Sequence, residues 1–532
     1  MNKQAYRVIF NRNRGMLVAV AENVPSQGKG SQSGSSSTMS HSPLMCFAQL
    51  AVAVAALFGG VTVVQAQIVA NPTAAPNMRP TVGVTASGIP LIQIAQPNSA
   101  GLSHNQYNSF NVGAQGAVLN NSQIVTGTQL AGQVQGNPNL SGGSANIILN
   151  EVVGGSRSQL NGYLEVAGQR AQVIISNENG ITCSGCGWIN TSRGVLTTGA
   201  PVFGGDGSLQ AFRVTRGDIQ INGLNAANTD QTDLISRSVS VNGQLWANQL
   251  NAVTGTNQVN FADLGVQTIQ GDNNKPTVSI DIASLGGMYA NKIRLVGTEA
   301  GVGVRSLGNI ASQAGDLNLD SQGQITLTGH TSATGQVTIH SHDGVVNGGT
   351  VYGQQAVLVS SDNQVANTGT VAGQADVTLF AGSIASTGVL GAGVDANSQA
   401  TQSGNLNLVA AGNLSATGQN LAGANIAMNG ASLDISHART NAAGNVALTA
   451  RAGDINHTGG NLQAGGAASL NASGAVINDS AVINAAQLSS TSASMSNHGG
   501  TLNQSGSGTT GLTTSSLLDN SAGVINIAAQ NA

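Results

Sequence analysis

The sequence predicts an all-β fold, a right-handed parallel β-helix. Three observations predict it: a repeated beat in the second half, no sustained helical periodicity there, and a composition rich in glycine but poor in aromatic and charged side chains. The beat comes first. Apolar pairs two residues apart begin at Leu317, Val337, Val357 and Val377, and after a longer connection at Leu406, Ile426 and Val446. Within each run the first positions are 20 residues apart (337−317, 357−337, 377−357, 426−406, 446−426). Side chains two apart share one face of a strand. A repeat of this length buries that face only by stacking on its neighbours, which argues for a solenoid and against a compact enzyme.

A second apolar site follows about eight residues later in each repeat, at Ile325, Val345, Val365, Ile384, Leu414, Leu433 and Ile455. The expectation is therefore two short strands per repeat, with Gly, Asn and Ser turning the corners between them. At roughly 4.8 Å per rung, about 23 rungs would fit the residues after 66 and make a rod on the order of 110 Å long.

Composition supports order without bulk. Glycine is 72 of 532 residues, aromatics are 3%, charged residues 8% and apolar residues 40%. A disordered chain would share the Gly and Ser but not this apolar content in a fixed period. A globular core of this size would use more aromatic volume.

Residues 1–66 read as an address. Lys3, Arg7, Arg12, Arg14 and Lys29 stand against Glu22 alone, a Ser-rich spacer occupies residues 31–43, and an apolar run fills residues 44–64. The run ends in Val64, Gln65 and Ala66, which places cleavage between Ala66 and Gln67. Cys46 sits at the start of the run, so it is not a lipoprotein cysteine. Residues 1–22, within an extension of residues 1–30, resemble the extended signal peptide of very large exported proteins of Gram-negative bacteria. Removing residues 1–66 leaves 13 basic (18−5) and 21 acidic (22−1) side chains, a net charge near −8. Beyond residue 310 the only basic residues are Arg439 and Arg451. A chain so poor in cations neutralises few phosphates, which excludes nucleic acid as a partner.

Residues 67–310 have a different texture, with irregular spacing, most of the mature arginines and both tryptophans, Trp188 and Trp246. Two motifs stand out: Asn137, Pro138, Asn139 and Leu140, and then Asn177, Glu178, Asn179, Gly180 and Ile181. Proline presets φ and asparagine bonds its local backbone, so each alone reads as a tight turn. Together, downstream of this signal, they resemble the secretion domain of the two-partner secretion exoproteins, the filamentous haemagglutinin family. The resemblance covers about residues 67–310. It implies a capped β-helix recognised by the periplasmic POTRA domains of a dedicated outer-membrane barrel, with both Asn turns serving export. The first motif matches in full; in the second, Glu178 replaces the family's proline, which leaves that turn less rigid.

Other signals carry less. Cys183 and Cys186 are the only cysteines of the mature chain. With no second Cys pair and scattered histidines they read as a local disulfide rather than half a zinc site. Arg216, Gly217 and Asp218 form a tripeptide known from receptor binding, yet they also simply lead a turn into an alternating strand. His340, His342 and Asp343 lie at a corner, with no carboxylate pair at rung spacing and almost no cations nearby. No enzyme, metal or cofactor is therefore expected.

The sequence thus reads as three segments: signal peptide 1–66, secretion domain 67–310 and repeats 311–532. The functional expectation is a secreted or cell-surface adhesin of haemagglutinin type that contacts a host-cell or bacterial surface receptor or glycan. The alternative is the delivery stalk of a contact-dependent growth inhibition toxin without its C-terminal toxic domain. A β-helix polysaccharide-active enzyme is the remote third reading. The repeats run uncapped to residue 532, so either a truncated member or a chain whose end self-associates is expected.

Overall fold

The computed structural model describes residues 6–11, 16–21, 67–395, 399 and 402–528. The Ser-rich spacer, the apolar run with Cys46, and Ala66 lie outside the described residues. Tyr6–Asn11 and Met16–Ala21 pair antiparallel as a unit of their own. From Gln67 onward the chain is a parallel β-solenoid of about 17 turns.

Register explains the beat. Leu317 pairs with Val337, Val337 with Val357, Val357 with Val377, and Val377 with Leu406, all in parallel strands. Each of these residues is at most 1% exposed. A strand's Cβ atoms alternate sides, so this inner column is forced inward while Asn318, Thr338 and Leu358 face out. The second expected column forms as well: Ile325, Val345, Val365, Ile384, Leu414, Leu433 and Ile455 pair in that order.

Two expectations need correction. Each turn has three strands, not two. The third face stacks Thr331, Val351, Val371, Leu390, Asn420, Thr440 and Leu462. Its column mixes Thr and Asn with aliphatics, and its second buried position is Ala or Gly, so its hydrophobic signal is faint. The turn count is also lower than the expected 23, because excursions consume residues without adding rungs. At roughly 4.8 Å per turn the solenoid is about 80 Å long.

Three excursions matter. A hairpin of Thr126–Thr128 and Gly132–Val134 leaves the third face early. A four-stranded antiparallel sheet (Ala200–Phe203, Leu209–Val214, Asn257–Asn260, Val266–Thr268) lies on the outside of the first face. Its Phe212, Val214, Val259 and Phe261 pack against Leu102, Leu149, Ile174, Val195 and Ile235, so the first face is buried on both sides here. Arg193 pins the arrangement: its Nε lies 2.6 Å from the Asp233 carboxylate and its guanidinium 4.3 Å from the Phe261 ring centre. The third excursion, around residues 393–405, absorbs the longer connection seen in the sequence. Its Val394 covers Tyr352 and Ala372.

The N-terminal edge is closed by antiparallel pairing. Ile68–Ala70 runs against Leu102–Phe110, and Thr81–Val84 against Pro90–Gln93. Antiparallel strands at the first rung remove the unpaired edge that a bare solenoid would present.

Interior corners are polar and satisfied by amides. Asn347 Nδ2 donates to Asn367 Oδ1 at 2.8 Å, and Asn367 Nδ2 to Ser386 Oγ at 3.0 Å. Later, Asn478 Nδ2 donates to Asn497 Oδ1 at 2.7 Å, and Asn497 Nδ2 to Asn520 Oδ1 at 2.6 Å. His457 heads that second ladder. Since Asn478 spends its amide on Asn497, its oxygen must accept, so His457 Nδ1 donates to it at 2.7 Å. The Nε2 atom is buried without a partner. Burial lowers the His457 pKa, only partly offset by the bond to Asn478.

A folded pKa below the unfolded value means that the unfolded state binds the extra proton first. The stability from His457 is therefore complete above the ordinary histidine pKa of about 6.5 and is lost as pH falls below it. The expected outcome is that amide protection factors in the rungs around residues 455–500, with the intrinsic pH dependence of exchange divided out, fall between pH 7.5 and 5.5, and that His457→Asn flattens this fall. Equal pH dependence in both proteins would refute the assignment.

Candidate functional site: two asparagine turns

The two sequence motifs fold into turns of the same construction. In the first, the Leu140 amide donates to Asn137 O at 3.2 Å, and the Asn139 amide to Asn137 Oδ1 at 3.0 Å. In the second, the Gly180 amide donates to Asn177 O at 3.0 Å, and the Asn179 amide to Asn177 Oδ1 at 2.9 Å. Asparagine at the first position thus closes its own turn twice, through main chain and side chain.

The side-chain amides then reach inward. Asn137 Nδ2 donates to Ile94 O at 3.0 Å and Asn120 O at 2.9 Å, while Asn139 Nδ2 also reaches Ile94 O at 3.1 Å. Asn177 Nδ2 donates to Ser156 O and Ser158 Oγ, both at 2.9 Å, and Asn179 Nδ2 to Gly154 O at 2.7 Å. The acceptors are main-chain carbonyls that precede each turn in sequence, together with the Ser158 hydroxyl. Asn137 is 4% exposed, Asn177 0%, and Leu140 and Ile181 sit in the main core.

Glu178 does not undo its turn. The carboxylate lies 3.5 Å from Arg216 Nε in a half-exposed pair. Such pairs contribute little, so the asparagines carry the geometry. Gly180 has φ +101°, and a Cβ there would meet Asp218 O at 2.9 Å, so glycine is required.

The Arg-Gly-Asp triplet buttresses this second turn. Gly217, at φ +84°, passes so close to Glu178 O that a Cβ would lie 2.6 Å from it. Asp218 is ion-paired with Arg157 and accepts from Gln220 Nε2 at 3.0 Å. Around it, a cleft of about 530 Å³ is lined by Asn179, Arg237 and Asp272 as well. Cys183 and Cys186 form a disulfide across a rung corner: Cys183 pairs with Ile221 on one face and Cys186 with Leu224 on the next. Both sulfurs are interior.

The structure does not bring the two turns together. The first lies between Ala117–Asn121 and Ile147–Val152, the second between Ala171–Asn177 and Ile181–Ile189. They occupy opposite ends of the first face, about 20 Å apart along six-residue strands. On the strand end beside the second turn, where Glu151 pairs with Ser176, the Glu151 carboxylate accepts from His104 Nε2 at 2.7 Å and Gln106 Nε2 at 2.9 Å. Burial works to raise the Glu151 pKa, but these bonds outweigh it and hold the carboxyl below its ordinary range. His342 Nδ1 lies 2.7 Å from Asp362, an exposed pair, and His340 Nδ1 lies 3.0 Å from Ser360 Oγ. So His342 does face one carboxylate across a rung, which the sequence reading missed. Among the described residues no three His, Cys, Asp or Glu side chains are grouped to hold a metal.

Residues 66–327 match the family model of the TPS secretion domain, and residues 1–51 match the extended signal peptide of type V secretion systems. The chain is similar to a protein named Toxin CdiA from Yersinia pestis, 40% identical over 515 residues, which is 95% of this chain and 16% of that protein. It is similar to tRNA nuclease CdiA-2 of Burkholderia pseudomallei, with 42% identity over 90% of this chain and again 16% of the relative. The chain thus spans 16% of the length of these curated relatives. The solved filamentous hemagglutinin secretion domain aligns with a TM-score of 0.45 at 27% identity, covering 64% of this chain and 99% of that one. The HMW1 secretion domain from Haemophilus influenzae aligns at 0.32 and 14%, covering 80% and 98%.

Two outcomes follow from the hydrogen bonds. Asn137→Ala removes the donor to Asn120 O and the acceptor for the Asn139 amide, costing about 1–3 kcal/mol, whereas Asn139→Ala leaves Ile94 O still bonded to Asn137 and costs less. In the second turn Asn179→Ala removes the donor to Gly154 O and so costs more than Asn139→Ala; denaturant unfolding of the four proteins ranks them. For the disulfide, Cys183→Ser with Cys186→Ser closes no long loop. The expected loss is about 2 kcal/mol by the loop-entropy relation, read as a small drop in Tm, and loss of the whole fold would refute a merely local role.

Proposed function

This chain is a two-partner secretion exoprotein, and we propose that residues 67–310 are its export module, recognised by the periplasmic POTRA domains of a dedicated outer-membrane barrel. The observation that carries the reading is the pair of Asn turns, built alike on the first rungs inside the stretch that matches the TPS secretion domain. The extended signal peptide and the secretion domain mark the protein for export across the Gram-negative outer membrane to the cell surface or beyond. Cleavage between Ala66 and Gln67 would release the mature chain.

Residues 311–532 form the stalk of the proposal. Their outward faces are almost free of cations, which suits a contact rod better than a polyanion binder. We read the rod as non-enzymatic and adhesive, meeting a surface receptor or glycan. A second reading has a specific observation behind it: the relatives matched over 95% and 90% of this chain are named as a toxin and a tRNA nuclease. In that reading the same rod is the delivery stalk of a contact-dependent toxin. The Arg-Gly-Asp triplet supports a receptor role poorly, because Asp218 is already bound by Arg157.

The test is secretion itself. Expressed with its cognate barrel, the mature chain is expected in the culture medium. Without the barrel, or with Asn137→Ala, it is expected to remain cell-associated. Barrel-independent release would overturn the export reading.

A further inference from the structure

The buried state of Asn137 poses a question. Its side chain is 4% exposed and its amide is committed to two carbonyls, so no partner can read it directly. What it holds is more informative. The Asn137 backbone N–H donates to Ser122 O at 2.7 Å, and Gln123 Nε2 donates to Leu140 O at 2.7 Å. The first Asn turn therefore clamps the base of the hairpin that carries Thr126–Thr128 and Gly132–Val134.

The tip of the hairpin is clamped too. Glu165, 4% exposed, accepts the amides of Gln129 at 2.6 Å and Leu130 at 2.8 Å. Between the clamps, Val134, Leu130 and Ala131 pack on Ile89, Val118 and Ala167 of the third face. A hairpin fixed at base, tip and underside is preorganised. Yet at its entrance Ile124 is 74% exposed and Val125 51%. Among the described residues no third strand pairs with either hairpin strand.

The chain that carries the hairpin is itself uncharged, and the one carboxylate shown at its tip, Glu165, is buried and spent on two amides. Residues 80–150 contain no Asp, Glu, Lys or Arg. Exposed apolar residues beside an unpaired strand edge usually carry a guarding charge. Here none is supplied, and charge depletion is what the centre of a protein interface shows. We propose that this hairpin, with Ile124 and Val125 at its entrance, is the docking element for the transporter, which adds an extended segment of its periplasmic domains along the hairpin edge and covers the two apolar side chains. The proposal rests on the export reading, and it makes both Asn137 and Glu165 positioning residues, acting through the hairpin they hold.

The experiment titrates the purified mature chain against the isolated periplasmic domains of the cognate barrel, and follows secretion in cells with and without that barrel. Ile124→Asp with Val125→Asp is expected to weaken binding about tenfold or more, as for a central apolar anchor, and to reduce secretion in step. Protease resistance should not change. Leu285→Asp, at an exposed apolar site elsewhere (87% exposed), should leave binding intact. If the aspartate pair lowers protease resistance, Ile124→Ser with Val125→Ser carries the same expectation without added charge. Normal binding by the folded double variants, with secretion still barrel-dependent, would overturn this docking site alone. Secretion that needs no barrel would overturn the export reading and this inference with it.

Discussion

Everything in this fold depends on in-register stacking of inner apolar pairs. Leu317 and Leu319 lie on Val337 and Ile339, which lie on Val357 and Val359. Each buried aliphatic contributes on the order of 1.5–3 kcal/mol relative to exposure, but only when a rung exists above and below. A single rung has nothing to bury against, so stability belongs to interfaces between rungs more than to rungs. Insertions are accordingly tolerated only where they leave the stack. The step from Val377 to Leu406 keeps its pairing across the longer connection, within which Val394 packs on Tyr352 and Ala372.

Stacking also creates a problem at each corner, where backbone groups leave the ladders inside a nearly dry rod. An unsatisfied buried carbonyl costs about 1–3 kcal/mol, and the chain answers with side-chain amides, which donate and accept at once. The Asn347–Asn367 and Asn478–Asn497 pairs do this along the axis. The two Asn turns do it across turns, reaching Ile94 O, Asn120 O, Ser156 O and Gly154 O. Comparison of Pro138 with Glu178 separates the roles of the turn positions. The turn survives the loss of proline, so the asparagines at its first and third positions specify it, and the residue between them only presets φ. His457 stands in one ladder where asparagine serves elsewhere, and with Nδ1 donating to Asn478 its acceptor Nε2 meets no donor.

The solenoid was legible in the sequence where burial repeats with one chemistry. The columns through Leu317 and Ile325 are aliphatic in nearly every turn, and both were readable. The third column was not, since Thr331, Asn420 and Thr440 interrupt it and its partners are Ala or Gly. The four-stranded sheet over the first face was hidden for the opposite reason. Its underlying strands are apolar on both sides, so residues 171–177 show no alternation from which an outer layer could be inferred. The Asn turns were legible as turns, because that chemistry is local. Their inward reach was not, because Ile94 and Gly154 are distant in sequence. One signal could have exposed the hairpin: the charge-free run of residues 80–150, which stands out even in a chain with 8% charged residues.

The same locality bears on export. Each rung of the repeat region pairs with sequence about 20 residues earlier, so a chain emerging from its first residues onward can add rungs in order, each templated by the last. The antiparallel cap of Ile68–Ala70 and Thr81–Val84 supplies the first template without needing anything downstream of the earliest rungs. The disulfide fits that sequence of events, since Cys183 and Cys186 are three residues apart and tie no distant segments together. A bridge between far rungs would have to wait for both to be placed, and would hold a loop closed while the chain was still extended. The long-range ion pairs, Arg237 with Asp272 and Glu299 and Arg193 with Asp233, are noncovalent and confined to the first part of the solenoid. Beyond residue 310 Arg439 and Arg451 are the only Arg or Lys side chains, and the His342–Asp362 pair is exposed. The stalk is therefore held by neighbour-to-neighbour burial and amide ladders, the two interactions that form fully as each rung arrives.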